Sequence, residues 1–309
     1  MTNLTSPIFT DADKAREHME RVRWPSGKPT CPHCGVEGEA TLVQGKSHRA
    51  GLYQCNACRQ PFTVTVGTVM EKSHIPLNKW LLGFHLMAAS KKGVSAHQLH
   101  RTLGVTYKTA WFMAHRIREA MKPEGSEPMG GEGKTVEVDE SYVGGKERNK
   151  HKSKRDPKNI GGVGKAMVFS LVERGGKVRS RHLSSVNTRN LRGILTAQLK
   201  RGTAVMTDDA GQYRHVGRDF PHEAVKHGIG EYVRGNAHTN TVEGYFSILK
   251  RGVTGTFHHV SQQHLKRYLA EFDFRYNNRI ALGVDDAERM VRAIEGAGGT
   301  RLTYQQASG

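Results

Sequence analysis

Two sets of side chains in this sequence are spaced for chemistry. The first is Cys31-Pro-His-Cys34 and Cys55-Asn-Ala-Cys58, two C-x2-C pairs separated by twenty residues. Each pair turns tightly enough to offer two sulfurs to one ion, and two pairs make the four-thiolate tetrahedron of a structural zinc site. Disulfides, the alternative, are disfavoured in a cytosolic chain. His33 reads as a turn residue, since four thiolates already fill the shell. Residues 40–43 and 51–54 predict two short strands, which makes a zinc ribbon. Lys28, Lys46, His48, Arg49 and Arg59 equip that ribbon for DNA contact; the competing reading is a clip that only folds its own segment.

The second set is carboxylates. Thr135-Val-Glu-Val-Asp-Glu-Ser-Tyr-Val143 has the β-branched content of a strand, and Gly144-Gly145 ends it. Asp139 sits in its middle. A carboxylate on an internal strand is costly unless it is paired or bound to a cation, and an edge strand with its acids in solvent is the bland alternative. Asp208 then closes a short apolar run, and Glu243 lies one turn into a helix. These three acids are separated by 68 and 34 residues. So ordered, they can converge on a pair of divalent ions.

The elements that must carry these groups follow from periodicity. Residues 11–23 read as a helix with acids first and basic residues last. Residues 75–121 are helical, with Leu77, Trp80, Leu81, Phe84 and Met87 on one face. Within them, Ser95 and Thr106 as caps and Gly104 as the turn outline a helix-turn-helix. Tyr107, Lys108 and Thr109 would then open a recognition helix for a major groove; an ordinary helical pair is the other reading. Trp111, Met113 and Ile117 are expected in the core. The Pro/Gly-rich stretch 123–133 is the best boundary.

Past that boundary the pattern turns to strands. Residues 166–173 and 177–183 form a hairpin around Arg174-Gly-Gly176, residues 187–199 a helix, 203–208 a buried strand and 222–225 a last short strand. Helices follow at 241–250 and 261–279, and the tail after Gly283 carries no pattern. Between the strands, residues 144–165 form a glycine-flanked basic loop with Lys146, Arg148, Lys150, Lys152, Lys154 and Arg155. Such a run is usually just solvated; beside a metal site it can also clamp a phosphate backbone.

Composition points the same way. Lys and Arg number 47 against 29 Asp and Glu, a formal charge of +18. A field of that size favours a polyanion, and nucleic acid is the default. No apolar run approaches the roughly 20 residues that span a bilayer. The N-terminus has no apolar leader segment, which predicts a cytoplasmic protein acting at the nucleoid.

Strand, strand, strand, helix, strand, short strand and late helices, with acids on the first strand, the fourth strand and a late helix, is the order of an RNase H-like fold. The expected architecture is thus multi-domain, α+β or α/β: zinc ribbon (1–70), helix-turn-helix-like region (71–122), linker (123–133), a catalytic domain with a mixed five-stranded sheet (134–283) and a tail (284–309). The sequence resembles the DDE-type insertion-sequence transposases with an N-terminal zinc ribbon. The resemblance is carried by residues 136–146, Thr207-Asp208, His238-Thr-Asn-Thr-Val-Glu-Gly-Tyr-Phe-Ser-Ile-Leu-Lys-Arg-Gly252, Gly255-Thr-Phe-His-His-Val260 and Tyr268-Leu-Ala-Glu-Phe-Asp-Phe-Arg-Tyr-Asn277.

That resemblance implies cleavage and joining of element ends, with terminal inverted repeats and target DNA as partners and a dimer or larger assembly on DNA. It makes Asp139, Asp208 and Glu243 the ligands of two Mg²⁺ or Mn²⁺ ions, Asp139 bridging them, beside one Zn²⁺ on the cysteines. Some members of such families place asparagine at the third position, so Asn240 is the backup there. Glu137 shares the Asp139 face of a regular strand and is an outer candidate, while Glu140 points away. Asp209 reads as a capping acid and His238 as a turn residue within reach of a phosphate. Lys250 and Arg251 read as backbone contacts or as a solvated face. A DNA-binding regulator without catalysis and a structure-selective nuclease are the rival functions.

Overall fold

The computed structural model describes residues 4–123, 127–145, 147–158, 162–185, 187–299 and 302. The chain divides into two compact units, one of Met1–Ser90, Val94–Lys122 and Gly283–Gly309, the other of Lys91–Gly93 and Pro123–Leu282. Among the described residues no helix is long and apolar enough to cross a membrane.

The first unit opens with helix α1 (Ala12–Arg23), capped by the Asp11 carboxylate, which accepts the amides of Asp13 and Lys14 at 2.7 and 3.0 Å. Strands β1 (Ala40–Leu42), β2 (Tyr53–Cys55) and β3 (Pro61–Phe62) pair antiparallel in that order. The third strand has two residues, too few to show a pattern in sequence. Trp24 closes over this small sheet, edge-on to Tyr53 and Phe62 at 5.4 and 6.2 Å between centroids.

Three helices follow: α2 (Leu77–Ala89), α3 (Ala96–Leu103) and α4 (Tyr107–Ala120). Trp80, Leu81, Phe84 and Met87 of α2 are buried, as are Leu99, Leu103, Met113 and Ile117 of the next two helices, and Gly83 of α2 lies against Leu103, Met113 and Ile117. Trp111, expected in the core, is only half-buried, its ring packed on His115 at 4.2 Å. Gly104 adopts φ 59°, ψ 44°, the left-handed conformation that lets α3 stop and α4 start three residues later.

The stretch after Gly283 contributes a further helix, α8, Asp286–Glu295, which buries Met290, Ala293 and Ile294 in this unit. A side chain at Gly296 would have its Cβ 2.2 Å from the Ala120 carbonyl oxygen, so only glycine permits this approach. The tail expected to carry no pattern thus holds a helix: Met290, Ala293 and Ile294 have the i, i+3, i+4 spacing of a helix face, a stripe little more than one turn long.

The second unit is built on a five-stranded sheet. Its strands are β4 (Thr135–Val143), β5 (Ala166–Glu173), β6 (Val178–Leu183), β7 (Ala204–Asp208) and β8 (His222–Val225), laid side by side as β6-β5-β4-β7-β8. β5 runs antiparallel to both β6 and β4, whereas β7 is parallel to β4 and β8 parallel to β7. The sheet is therefore mixed, and β4 is its central strand. An edge position for Asp139 is excluded.

Alternation along β4 sorts its side chains between two cores. Val136 and Val138 pack with Leu191, Leu195 and Leu199 of and beside helix α5 (Thr188–Gln198). Val143 packs on the other side with Val242, Phe246 and Leu249 of helix α6 (Asn240–Gly252) and Leu265, Leu269 and Phe272 of helix α7 (Gln262–Asn277). Apolar burial on both faces is what lets one strand carry acids into the interior of the sheet at a fixed depth.

One buried carboxylate ties these layers together. Asp273 of α7 accepts from Tyr245 Oη of α6 at 2.6 Å and from the Ser180 amide of β6 at 2.7 Å, with Ser180 Oγ at 2.8 Å. Burial pushes its carboxyl up to about 6, against the pull of the Tyr245 and Ser180 hydrogen bonds.

Candidate active site

β4 and β7 run parallel with Val136 beside Val205 and Glu137 beside Met206. Continued two residues past the paired segment, this register would bring Asp139 level with Asp208, and the Asp208 charge does act on the Asp139 carboxyl. Asp208 Oδ1 accepts the Ala210 amide at 3.2 Å, which orients the carboxylate at the strand end. Glu243 approaches from α6, exposed, its Oε1 accepting from Thr239 Oγ1 at 2.9 Å.

The electrostatics of Asp139 report on this convergence. Burial raises its carboxyl to about 7, opposed by the Glu140 amide that donates to Oδ1 at 2.7 Å; the charges of Glu140, Asp208 and Glu243 push it up further. Glu140 itself is turned to the α5 side, where Tyr213 Oη and Gln212 Nε2 bond its two oxygens. Burial raises it too. Four acids thus act on one another electrostatically, with Asp139 and Glu140 desolvated and Glu243 exposed. Their oxygens are not drawn as close as the cysteine sulfurs; among the described residues only the cysteines form a group of ligand atoms all within 4.8 Å.

The remaining expected residues are placed as follows. Asn240 is the first residue of α6 and is exposed. Asp209 is exposed beside Asp208. Glu137 is fully buried and bonded to the start of α6 and to Arg174, whose Nε lies 2.6 Å from its Oε1. His238 Nδ1 lies 3.2 Å from the same oxygen. Periodicity put Glu137 on the Asp139 face; its partner Arg174, in the β5–β6 turn, has no signal in sequence beyond being an arginine beside two glycines.

Lys250 and Arg251 are exposed in the last turn of α6, Arg251 Nε donating to the Ser247 carbonyl at 3.1 Å. In the basic loop, Lys150, Lys152, Lys154 and Arg155 are exposed, and Lys150 Nζ meets Glu147 at 2.7 Å. The Asp156 amide donates to Glu147 Oε1 at 2.8 Å, giving the loop a closed shape. Lys146 and the side chain of Arg148 lie outside the described residues.

In the other unit the cysteines meet as expected of a ribbon. Cys31 and Cys58 sulfurs are 3.7 Å apart and Cys34 and Cys55 sulfurs 3.6 Å apart. The Cys58 amide donates to Cys55 Sγ and draws that thiol down to about 7. α3 and α4 carry their expected caps, Ser95 Oγ accepting the Gln98 amide at 3.1 Å and Thr106 Oγ1 the Thr109 amide at 3.2 Å. Tyr107 and Lys108 are exposed at the start of α4, Tyr107 stacked on His97 at 4.3 Å, while Thr109 is half-buried.

A mixed sheet of this order, with acids on its central strand and the next one, is the arrangement of an RNase H-like domain, here following a four-cysteine ribbon in the chain. Residues 130–277 match the ISXO2-like transposase domain, and residues 10–61 match the transposase zinc-ribbon domain. The chain belongs to this family of insertion-sequence transposases with an N-terminal zinc ribbon. It is 29% identical over 282 residues, 86% of this chain and 91% of the relative, to an uncharacterised protein in transposable element ISH50 of Halobacterium salinarum. Among solved structures, a pre-cleavage Mos1 transpososome shares 13% identity with a TM-score of 0.26, covering 65% of this chain and 70% of that one.

Proposed function

We propose that the chain cleaves and joins the ends of its element by two-metal phosphodiester chemistry, with Asp139, Asp208 and Glu243 as the catalytic carboxylates. What supports this is the parallel β4–β7 register, which runs toward Asp139 and Asp208, together with the charges of Asp208 and Glu243 that act on the Asp139 carboxyl. An all-oxygen, carboxylate-only donor set suits Mg²⁺ or Mn²⁺. A buried acid held at about 7 by burial and neighbouring acids is a group that gains from a cation. When bound, two such ions supply an activated water or 3′-hydroxyl and a stabilised leaving oxygen. Asp139, Asp208 and Glu243 would hold these ions, with Asn240 as the backup for Glu243.

The chain's own residues then bind and orient DNA. Lys250 and Arg251 continue α6 beyond Glu243 and suit a phosphate backbone, as do Lys150, Lys152, Lys154 and Arg155 of the basic loop, together with Lys146 and Arg148. Tyr107, Lys108 and Thr109 begin the recognition helix in residues 71–122. The cysteines of the ribbon, within 1–70, hold one structural Zn²⁺. Double-stranded element ends and target DNA are the substrates, residues 134–283 perform the chemistry, and two ends held together call for a dimer or larger assembly. The site of action is the nucleoid of the cytoplasm.

The decisive experiment is strand transfer with labelled element-end DNA in Mg²⁺ or Mn²⁺. Cleavage followed by joining to target is the expected result. Tight binding with no cut in either metal would transfer the reading to a non-catalytic regulator, and hydrolysis without joining would transfer it to a nuclease. A second expectation concerns recognition. Lys108→Ala should weaken end binding and reduce the slope of log affinity against log salt by about one, as loss of one phosphate contact does. An unchanged slope in a binding titration from low to high salt would remove α4 from the interface.

A further inference from the structure

Glu137 stands two residues before Asp139 and on the same face of β4, yet both its oxygens are engaged elsewhere. Oε2 accepts the backbone amides of Thr241 and Val242 at 2.7 and 2.9 Å. Oε1 accepts Thr241 Oγ1 at 2.8 Å and Arg174 Nε at 2.6 Å, with His238 Nδ1 at 3.2 Å. The two amides belong to the first turn of α6, where helix N–H groups have no partner within the helix. Thr239, in the capping position, supplies no side-chain cap. The cap is instead a carboxylate from the central strand, more than a hundred residues away in sequence and favourably placed against the helix dipole. Arg174 extends the joint, donating to the Asn236 and His238 carbonyls, each at 2.9 Å.

The loop entering α6 and its first turn are therefore fastened to β4 by one buried ion pair, immediately before Glu243. We propose that Glu137 and Arg174 are positioning residues that hold the Glu243 carboxylate at its working distance from Asp139, and that Glu137 is not itself a metal ligand. The proposal rests on the reading of Glu243 as a catalytic carboxylate. It converts an outer candidate for metal binding into the part that sets the third ligand's geometry. With four heavy-atom bonds to protein, Glu137 has no oxygen left to give an ion without releasing α6.

The test compares wild type, Glu137→Gln, Thr241→Val and Arg192→Ala, a control that removes the exposed Arg192–Asp219 pair. Hydrogen exchange is measured on metal-free full-length protein over residues 238–252, and cleavage of element-end DNA is measured against Mg²⁺ concentration. Glu137→Gln leaves one acceptor for donors that had two, and its amide NH₂ opposes the Arg174 guanidinium. The Thr241 and Val242 amides should exchange at least tenfold faster, with Leu249 still protected. Half-saturating Mg²⁺ should rise severalfold while DNA binding holds. Thr241→Val, a milder change, should move both readouts the same way, so a folding failure of Glu137→Gln leaves the proposal testable; Arg192→Ala should move neither.

Wild-type exchange at these amides in both Glu137→Gln and Thr241→Val overturns the clamp. Loss of cleavage in Glu137→Gln with those amides still protected would make Glu137 a ligand after all. A wild type that never cuts defeats the proposed function but not the docking of α6, which exchange still reports.

Discussion

Replacing Asp139 by asparagine is expected to have two opposite effects. Strand cleavage should fall on the order of 10³-fold or more, since a neutral amide neither bridges two cations nor compensates their charge. The metal-free catalytic unit should become more stable above pH 7. The sign follows from the raised carboxyl. In the unfolded chain Asp139 ionises near 4, whereas in the fold it keeps its proton to about 7. Between those values the native state binds the extra proton, so stability falls as pH rises from about 4 to 7, and the full deficit persists above.

Three units at about 1.4 kcal/mol each bound that deficit near 4 kcal/mol; with some solvent access to the carboxylate, about 2–4 kcal/mol is expected. Asp139→Asn should erase this slope, and Mg²⁺ should restore stability to wild type but not to the variant. Hydrogen exchange of β4 and β5 amides in EDTA at pH 5 and pH 8 measures it. A wild type equally stable at both values, or a variant less stable at pH 8, would show that Asp139 is not under this strain. Asp273 should add a smaller fall of the same sign up to about pH 6.

The second large effect is expected at the ribbon. Its three strands have two or three residues each, and Trp24, Phe62, Cys31 and Cys55 make up most of what is buried around them. So little apolar surface does not offset the ordering of a segment of this length. Structural Zn²⁺ contributes on the order of 10 kcal/mol in isolated fingers at neutral pH, so its removal should melt residues 30–62. Extraction with a strong chelator should release about one Zn²⁺ per chain, expose four titratable thiols and open this segment to protease. The five-stranded unit should keep its hydrogen-exchange protection. Protease resistance of residues 30–62 in metal-depleted protein would mean that packing, not metal, holds the ribbon.

Much of this architecture is written in local pattern. The C-x2-C pairs, the alternation of β4 and β5 and the three-four spacing of α2 and α6 are each complete within a dozen residues. What sequence could not show is long-range. Parity places Glu137 with Asp139, but nothing local says that Thr241, Val242 and Arg174 will take both its oxygens. Trp111 has the spacing of a core residue, yet exposure is decided by what lies opposite. Strand β3 is two residues long, and α8 has a buried face only because α2 and α4 meet it. Asp273 carries no sequence signal either, since an acid on an amphipathic helix normally reads as surface.

The return of α8 has a consequence for how the protein is made. Residues that complete the core of the first unit, Met290, Ala293 and Ile294, are synthesised after the whole of Pro123–Leu282. Chains usually fold N-terminal part first as they leave the ribosome. Here the second unit has all its strands and helices available while the first still lacks a wall. A nascent chain therefore acquires its chemistry before its helical N-terminal unit is closed, and early release of the chain just short of residue 286 would leave an intact sheet attached to an open, apolar-faced partner.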